Sequence, residues 1–292
     1  MSHSLTAQPG SGKDVLLDVR AVQKIYTGRG RTVEAVRDLT FSVGHNELVC
    51  IVGPSGAGKT TLLKIIAGLL DPTDGQVVLD GQTVTRPPES MAVVFQEYGR
   101  SLYPWYSIEK NVELPLRQKK LAKGRRRELV HEALEAVGLG DVHAAYPWQL
   151  SGGMQQRVAI ARAVAYQPQV LLMDEPFAAV DAQTRADLED LIRNLWHRLG
   201  VTILFVTHDI DESVYLGQRV LVLSSSPTVV MEDLPIDLPD ERNQLETRSG
   251  RRFAELRAHV YEQIQLAKRR KGDGSAVQET PEEVTEMEKE PR

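Results

Sequence analysis

The 292-residue chain holds one cysteine, Cys50, so no internal disulfide is available and nothing suggests an oxidising compartment. It lies inside the apolar run ELVCIV and is expected in the core. No apolar run approaches the roughly 20 residues that a membrane span needs, so the chain is expected to be soluble and to serve a membrane only through a partner. The N-terminal MSHSLTAQPGSGKD has no apolar centre and reads as a flexible leader over residues 1–14 rather than a secretory signal. Positive charge is not in excess: 35 Lys and Arg stand against 40 Asp and Glu, which argues against broad nucleic-acid binding. No heptad array is present.

What is present is an ordinary globular composition, large enough for one large core or two smaller ones. LLDVRAVQKIY, VEAVRDLTFSV and ELVCIVG read as strands, and QVVLDGQTV as two short strands about Asp80-Gly81. TTLLKIIAGLL carries a helical stripe of Leu62, Leu63, Ile66 and Leu70. From about 98 to 166 helical patterns dominate, and RRRELVHEALEAVGL places Leu129, Ala133, Leu134 and Val137 on one face. Strands return in VLLMDE, VTILFVTH and RVLVLS, the last expected, with the helix TRADLEDLIRNLWHRLG between them, stopped by Gly200. Alternating strands and helices imply an α/β fold with a mainly parallel sheet and an inserted helical lobe. Residues 15–226 form the expected main domain. A 227–271 extension with one amphipathic helix follows, and then an acidic tail, 272–292, read as disordered.

Three segments carry chemistry. GPSGAGKT, from Gly53 through Pro54, Ser55, Gly56, Ala57, Gly58 and Lys59 to Thr60, follows an apolar strand and opens a helix that continues with Thr61. Its glycines let the backbone wrap a triphosphate, so ATP is the expected ligand. Lys59 supplies charge to the β- and γ-phosphates, and the Thr60 hydroxyl would ligate Mg²⁺. VLLMDEP delivers Asp174 to the end of a buried strand, where it would join the Mg²⁺ shell, with Glu175 as candidate general base. LSGGMQQR starts a second helix, capped by Ser151 and bared by Gly152 and Gly153, and such an N-terminus also suits a phosphate.

These segments, in the order GPSGAGKT, LSGGMQQR and LLMDEP, resemble the ATP-binding subunit of an ATP-binding cassette (ABC) transporter, over roughly residues 16–224. The resemblance implies a P-loop NTPase with an N-terminal antiparallel β subdomain and a helical signature subdomain. It also implies a head-to-tail pair of copies, in which Ser151, Gly152 and Gly153 grip the γ-phosphate held by the other copy's loop. By the same likeness Gln96 contacts the Mg²⁺ or the attacking water, His208 bonds the γ-phosphate and helps place Glu175, Tyr26 stacks on adenine, and Asp181 couples the two sites. Where the family has Ser-Ala-Leu-Asp, this chain reads Ala178-Ala179-Val180-Asp181, which puts one cross-interface hydrogen bond in doubt. The implied partners are transmembrane permease subunits and a substrate-binding protein, with the cassette cytoplasmic and peripheral on the inner face of the membrane. The aromatic YGRSLYPWYSIEKNV fits either lobe core or a groove for a permease helix. With IDLP it is similar to importers of nitrate, sulfonate and taurine. An exporter subunit and a soluble ABC ATPase stand as alternatives.

Overall fold

The computed structural model describes residues 15–28, 31–96 and 101–273. Strands β1 (Val15–Gly28) and β2 (Arg31–Gly44) pair antiparallel, and with β4 (Asp74–Leu79) and β5 (Gln82–Thr83) build a sheet of order β2-β1-β4-β5. A second sheet has the order β10-β9-β3-β8-β7-β6. Its strands β3 (Leu48–Val52), β6 (Met91–Val94), β7 (Val170–Asp174), β8 (Thr202–Val206) and β9 (Arg219–Leu223) run parallel, and β10 (Val230–Pro235) closes its edge antiparallel.

The apolar runs of the parallel strands have a direct cause: alternate side chains enter two different cores. Leu48, Cys50 and Val52 face one core, with Leu171 and Met173 beside them. Val49 and Ile51 face the other, with Val170 and Leu172. That second core is filled by the antiparallel sheet and by α1 (Lys59–Ile66), which contributes Leu62, Leu63, Ile65 and Ile66. Leu70, expected on this helical stripe, lies beyond the helix and is only partly buried. The chain breaks at Gly68, at φ 65, where a side chain would strike the Arg86 carbonyl at 2.6 Å. Cys50 is fully buried, and burial pushes its thiol pKa up.

The first core takes in the helical lobe: α2 (Ile108–Glu113), α3 (Lys123–Ala136) and α4 (Gly152–Ala165). Buried Asn111 organises the aromatic turn before α2, accepting from Tyr103 N at 2.7 Å and donating to the carbonyls of Tyr103, Tyr106 and Ser107 at 3.1 Å each. α5 (Ala182–Leu199) buries Leu188, Ile192 and Leu195 and ends at Gly200, at φ 59. α6 (Ile210–Leu216) sits between β8 and β9 in sequence.

The expectation that RVLVLS is the last strand does not hold, since β10 follows it. VMEDLP is half exposed and carries Glu232 and Asp233, so its sequence shows no apolar alternation to announce a strand. Beyond it lie α7 (Gln244–Ser249) and α8 (Arg251–Asp273). α8 buries Phe253, Leu256, Val260, Ile264 and Ala267, a helical stripe packed on α6 and β9. Arg242 ties this extension down by donating to the carbonyls of Val214, Tyr215 and Gly217, which α6 leaves unpaired at its C-terminus. Burial pushes the Arg242 pKa down to about 10. Residues 272 and 273, expected in the acidic tail, belong to α8; the leader and the rest of the tail lie outside the described residues.

Candidate functional site

The site grows from the C-terminal edge of the parallel sheet. β3 ends at Val52, and the loop Gly53–Gly58 turns from it into α1. Gly56 at φ 77 and Gly58 at φ 68 occupy left-handed backbone that β-carbon residues resist. Behind them the buried Thr228 hydroxyl donates to the Ala57 carbonyl, pinning the loop to the segment before β10. Lys59, 7 % exposed, folds back so that Nζ donates to the carbonyls of Gly53 and Pro54 at 3.0 and 3.2 Å. Burial pushes its pKa down, while Glu175 and Asp174 pull it up.

The neighbouring strands bring carboxylates and a histidine to the same edge. Asp174, the last residue of β7, is buried, with Oδ1 3.3 Å from the Thr60 hydroxyl that donates to it. Burial pushes its carboxyl pKa up. Glu175 follows in left-handed backbone at φ 43, strain for a non-glycine residue, and its N–H donates to Val206 O at 2.9 Å. Its side chain spans two partners: Oε2 lies 3.0 Å from His208 Nδ1, and Oε1 lies 3.8 Å from Lys59 Nζ. β7 and β8 are adjacent and parallel, which is why residues 33 apart in sequence meet.

Tyr26, near the end of β1, presents a half-exposed ring, and its hydroxyl lies 3.3 Å from the Thr61 hydroxyl. Gln96 is exposed just past β6, whose neighbour is β7, and makes no hydrogen bond to the other candidate residues among those described. Pro54 and Ala57 are buried, and Ser55 is exposed at the loop's tip.

A second group forms elsewhere. Ser151 caps α4, accepting from Met154 N at 3.3 Å, with Ser151 and Gly152 exposed. Gly153 packs against α5: a β-carbon there would lie 2.5 Å from Thr184 Cγ2. Asp181 caps α5, accepting from Thr184 N at 2.9 Å and from the Thr184 hydroxyl at 2.7 Å, which holds its carboxyl below the usual range. Among the described residues, no hydrogen bond or ion pair links Ser151, Gly152, Gly153 or Asp181 to the Gly53–Thr61 loop. Hydrogen bonds and ion pairs thus link Tyr26, the Gly53–Thr61 loop, Asp174, Glu175 and His208, while Gly153 and Asp181 meet at Thr184 in a group of their own.

The aromatic turn lies partly in view: Tyr103 and Trp105 meet edge to face at 5.4 Å, with Trp105 67 % exposed, and Tyr98 lies outside the described residues. Sequence reading missed Thr207, Glu212 and Arg185, which surround His208. An acid three residues past the Asp209 cap, followed by the buried run Ser213–Leu216, was the signal available for Glu212.

A model of the ABC transporter family matches residues 36–178, a range that begins in β2 and takes in the phosphate loop, the signature, Asp174 and Glu175. The nitrate import ATP-binding protein NrtD of a Synechocystis strain is 42% identical over 233 residues, 80% of this chain and 87% of that one. The chain belongs to the ABC transporter family. The aliphatic sulfonates import ATP-binding protein SsuB of Bacillus cereus is 38% identical to this cassette over 251 residues, 85% of this chain and 96% of SsuB. The ATP-binding cassette MJ0796, solved as a dimer in a post-hydrolysis state with ADP and Pi, superposes with a TM-score of 0.67. It is 32% identical and covers 77% of this chain and 100% of its own. The cassette is an ATP-binding ATPase with the P-loop fold of its family. No helix among the described residues is long and apolar enough to cross a membrane.

Proposed function

We propose that two copies of this cassette clasp head to tail and hydrolyse ATP at sites that neither copy completes alone, driving uptake of a small anion through a membrane permease. The observation that carries the reading is the separation just described: a phosphate loop with its acids and histidine in one place, and a bare, capped helix N-terminus in another. The dimeric MJ0796 cassette, with ADP and Pi, supports it.

Each residue then has a physical task. The Gly53–Gly58 backbone N–H groups and Lys59 bind the β- and γ-phosphates, and Tyr26 stacks on adenine. Ser151, Gly152 and Gly153 present α4's positive end to the γ-phosphate of the other copy. Glu175 accepts a proton from the attacking water, and His208, bonded to it, orients it and donates to the γ-phosphate. Asp181 sits where the second copy meets the site. The donor set fits a hard divalent cation: the Thr60 hydroxyl and the buried Asp174 carboxylate are oxygens, and a cation would relieve the cost of burying Asp174. No group of three His, Cys, Asp or Glu among the described residues is arranged to hold a metal. Thr60, Asp174 and Gln96 would hold Mg²⁺, which when bound neutralises charge on the β- and γ-phosphates.

Relatives named for nitrate and for aliphatic sulfonates both handle small oxyanions, which supports import of nitrate, a sulfonate or taurine. A substrate-binding protein then delivers the solute outside, and the exposed turn at Tyr103 and Trp105 receives a permease helix at the inner membrane face. The dependence of specific ATPase activity on protein concentration tests the sharing of sites. Activity per molecule should rise with concentration and saturate, and a constant value at every dilution removes the proposal.

A further inference from the structure

His208 hangs from a tightly tied turn. On one side of it, Thr207 Oγ1 donates to Glu212 Oε2 at 2.5 Å and accepts from Asp209 N at 2.9 Å. On the other, Asp209 Oδ1 accepts from Asp211 N and Glu212 N at 2.8 and 3.2 Å and starts α6. One cation grips the outside of this knot. Arg185 Nη1 donates to Asp209 Oδ2 at 3.0 Å, and Nε lies 3.3 Å from Glu212 Oε1. The second contact is an ion pair without hydrogen-bond geometry, Nε being buried with no acceptor in line.

Arg185 also belongs to a different element. It lies in the first turn of α5, where its backbone N–H donates to Asp181 O at 2.9 Å. A single side chain thus joins the helix that Asp181 caps to the turn that carries His208. Glu212 is 4 % exposed, and burial pushes its carboxyl up to about 7, with the Thr207 hydrogen bond and then Arg185 opposing the rise. A buried acid that bonds the residue before His208 and faces Arg185 is unnecessary for packing α6, whose other buried residues are mainly apolar.

We infer that Arg185 is a positioning residue for ATP hydrolysis, holding the Thr207–Asp209 turn so that His208 meets Glu175 at 3.0 Å. The inference rests on the proposed pairing of Glu175 and His208 at the attacking water. Arg257 of α8 offers a contrast, since it pairs with the Asp211 carboxylate, at 2.6 Å, and with neither Asp209 nor Glu212.

The test is steady-state ATPase kinetics on full-length Arg185→Ala, Arg185→Lys, His208→Ala, the Arg185→Ala/His208→Ala double variant and Arg257→Ala. Arg185→Ala should lower kcat about tenfold or more with KM for ATP within about twofold, because the turn moves while the phosphate loop does not. Arg185→Lys should recover part of the loss, and Arg257→Ala should stay within about twofold of wild type. The double variant should be no slower than His208→Ala, since a positioning residue has nothing left to position. Wild-type turnover by Arg185→Ala overturns the inference, and so does a double variant slower than His208→Ala by the whole single-variant factor. If Arg185→Ala shows no cooperative melting, Glu212→Gln replaces it in the same cycle with His208→Ala, under the same expectations. A slow His208→Ala beside a normal Arg185→Ala removes Arg185 alone. A normal His208→Ala removes the Glu175–His208 pairing and the inference together.

Discussion

The phosphate loop and the signature helix are both bare helix N-termini, yet they are built in opposite ways. Around Lys59 the structure is inward-looking: the lysine is buried, its ammonium bonds the loop's own carbonyls, and Glu175 pairs with it while also bonding His208. Around Ser151 it is outward-looking: Ser151 and Gly152 are exposed, and their neighbours Gly153 and Thr184 serve to bring α4 against the cap of α5. A ligand end that is prepared but left facing solvent has a use when something else brings the ligand to it. In the proposed reading, that something is ATP already seated in another copy.

The sharpest way to break this contrast is at Glu175. Glu175→Gln keeps the size and the loop, so ATP affinity should stay within about twofold while single-turnover hydrolysis slows on the order of 10²–10⁴-fold. Near-normal turnover would take Glu175 out of the role of base. At the signature, Gly152→Asp sets a carboxylate at the exposed start of α4, which a helix N-terminus tolerates but a phosphate does not. Turnover should fall about a hundredfold while isolated copies bind labelled ATP as before, and loss of binding would place Gly152 in its own copy's site. Lys59→Ala should do the reverse, weakening ATP binding itself by roughly 10–100-fold in equilibrium titration. Unchanged affinity there would erase the difference between the two ends.

The smallest effect concerns pH. The folded cassette holds the Glu212 proton up to about pH 7, whereas an unburied glutamate releases it near 4.5. In that window the folded state binds more protons than the unfolded chain, so this group makes stability fall as pH rises from about 4.5 to 7, with the penalty complete above 7. Glu212→Gln should flatten that part of the profile of melting temperature against pH, and an unchanged slope would show that Glu212 titrates normally.

The parts of the site that were legible in the sequence are those that local backbone imposes. Gly56 and Gly58 stand in GPSGAGKT because positive φ demands them, and Asp174 stands out in VLLMDEP because it is the first charge after the apolar run of a buried strand. The parallel sheet was legible because burial on both faces writes continuous apolar runs into its strands, and the lobe because helical patterns dominate between 98 and 166; the antiparallel sheet was expected from the family resemblance. Pairings between distant segments were not legible. Thr228 closing on Ala57, Arg185 spanning to Asp209 and Glu212, and Arg242 answering the end of α6 join residues 24 to 171 positions apart. β10 was missed because its half-exposed, charged sequence takes its place from β9 rather than from a pattern of its own. The left-handed Glu175 was hidden too, because nothing in the side chain announces it.

The central claim is that each working site takes its phosphate loop from one copy and its signature from another. Mixing Lys59→Ala with Gly152→Asp tests it most directly, because only a mixed pair owns one site with an intact loop and an intact signature. Equal amounts of the two variants, each far below wild type alone when ATP is held near the wild-type KM, should recover about a quarter of the wild-type ATPase activity, since half of randomly formed pairs are mixed and carry one whole site of two. A mixture no more active than the average of its separate components would contradict the account.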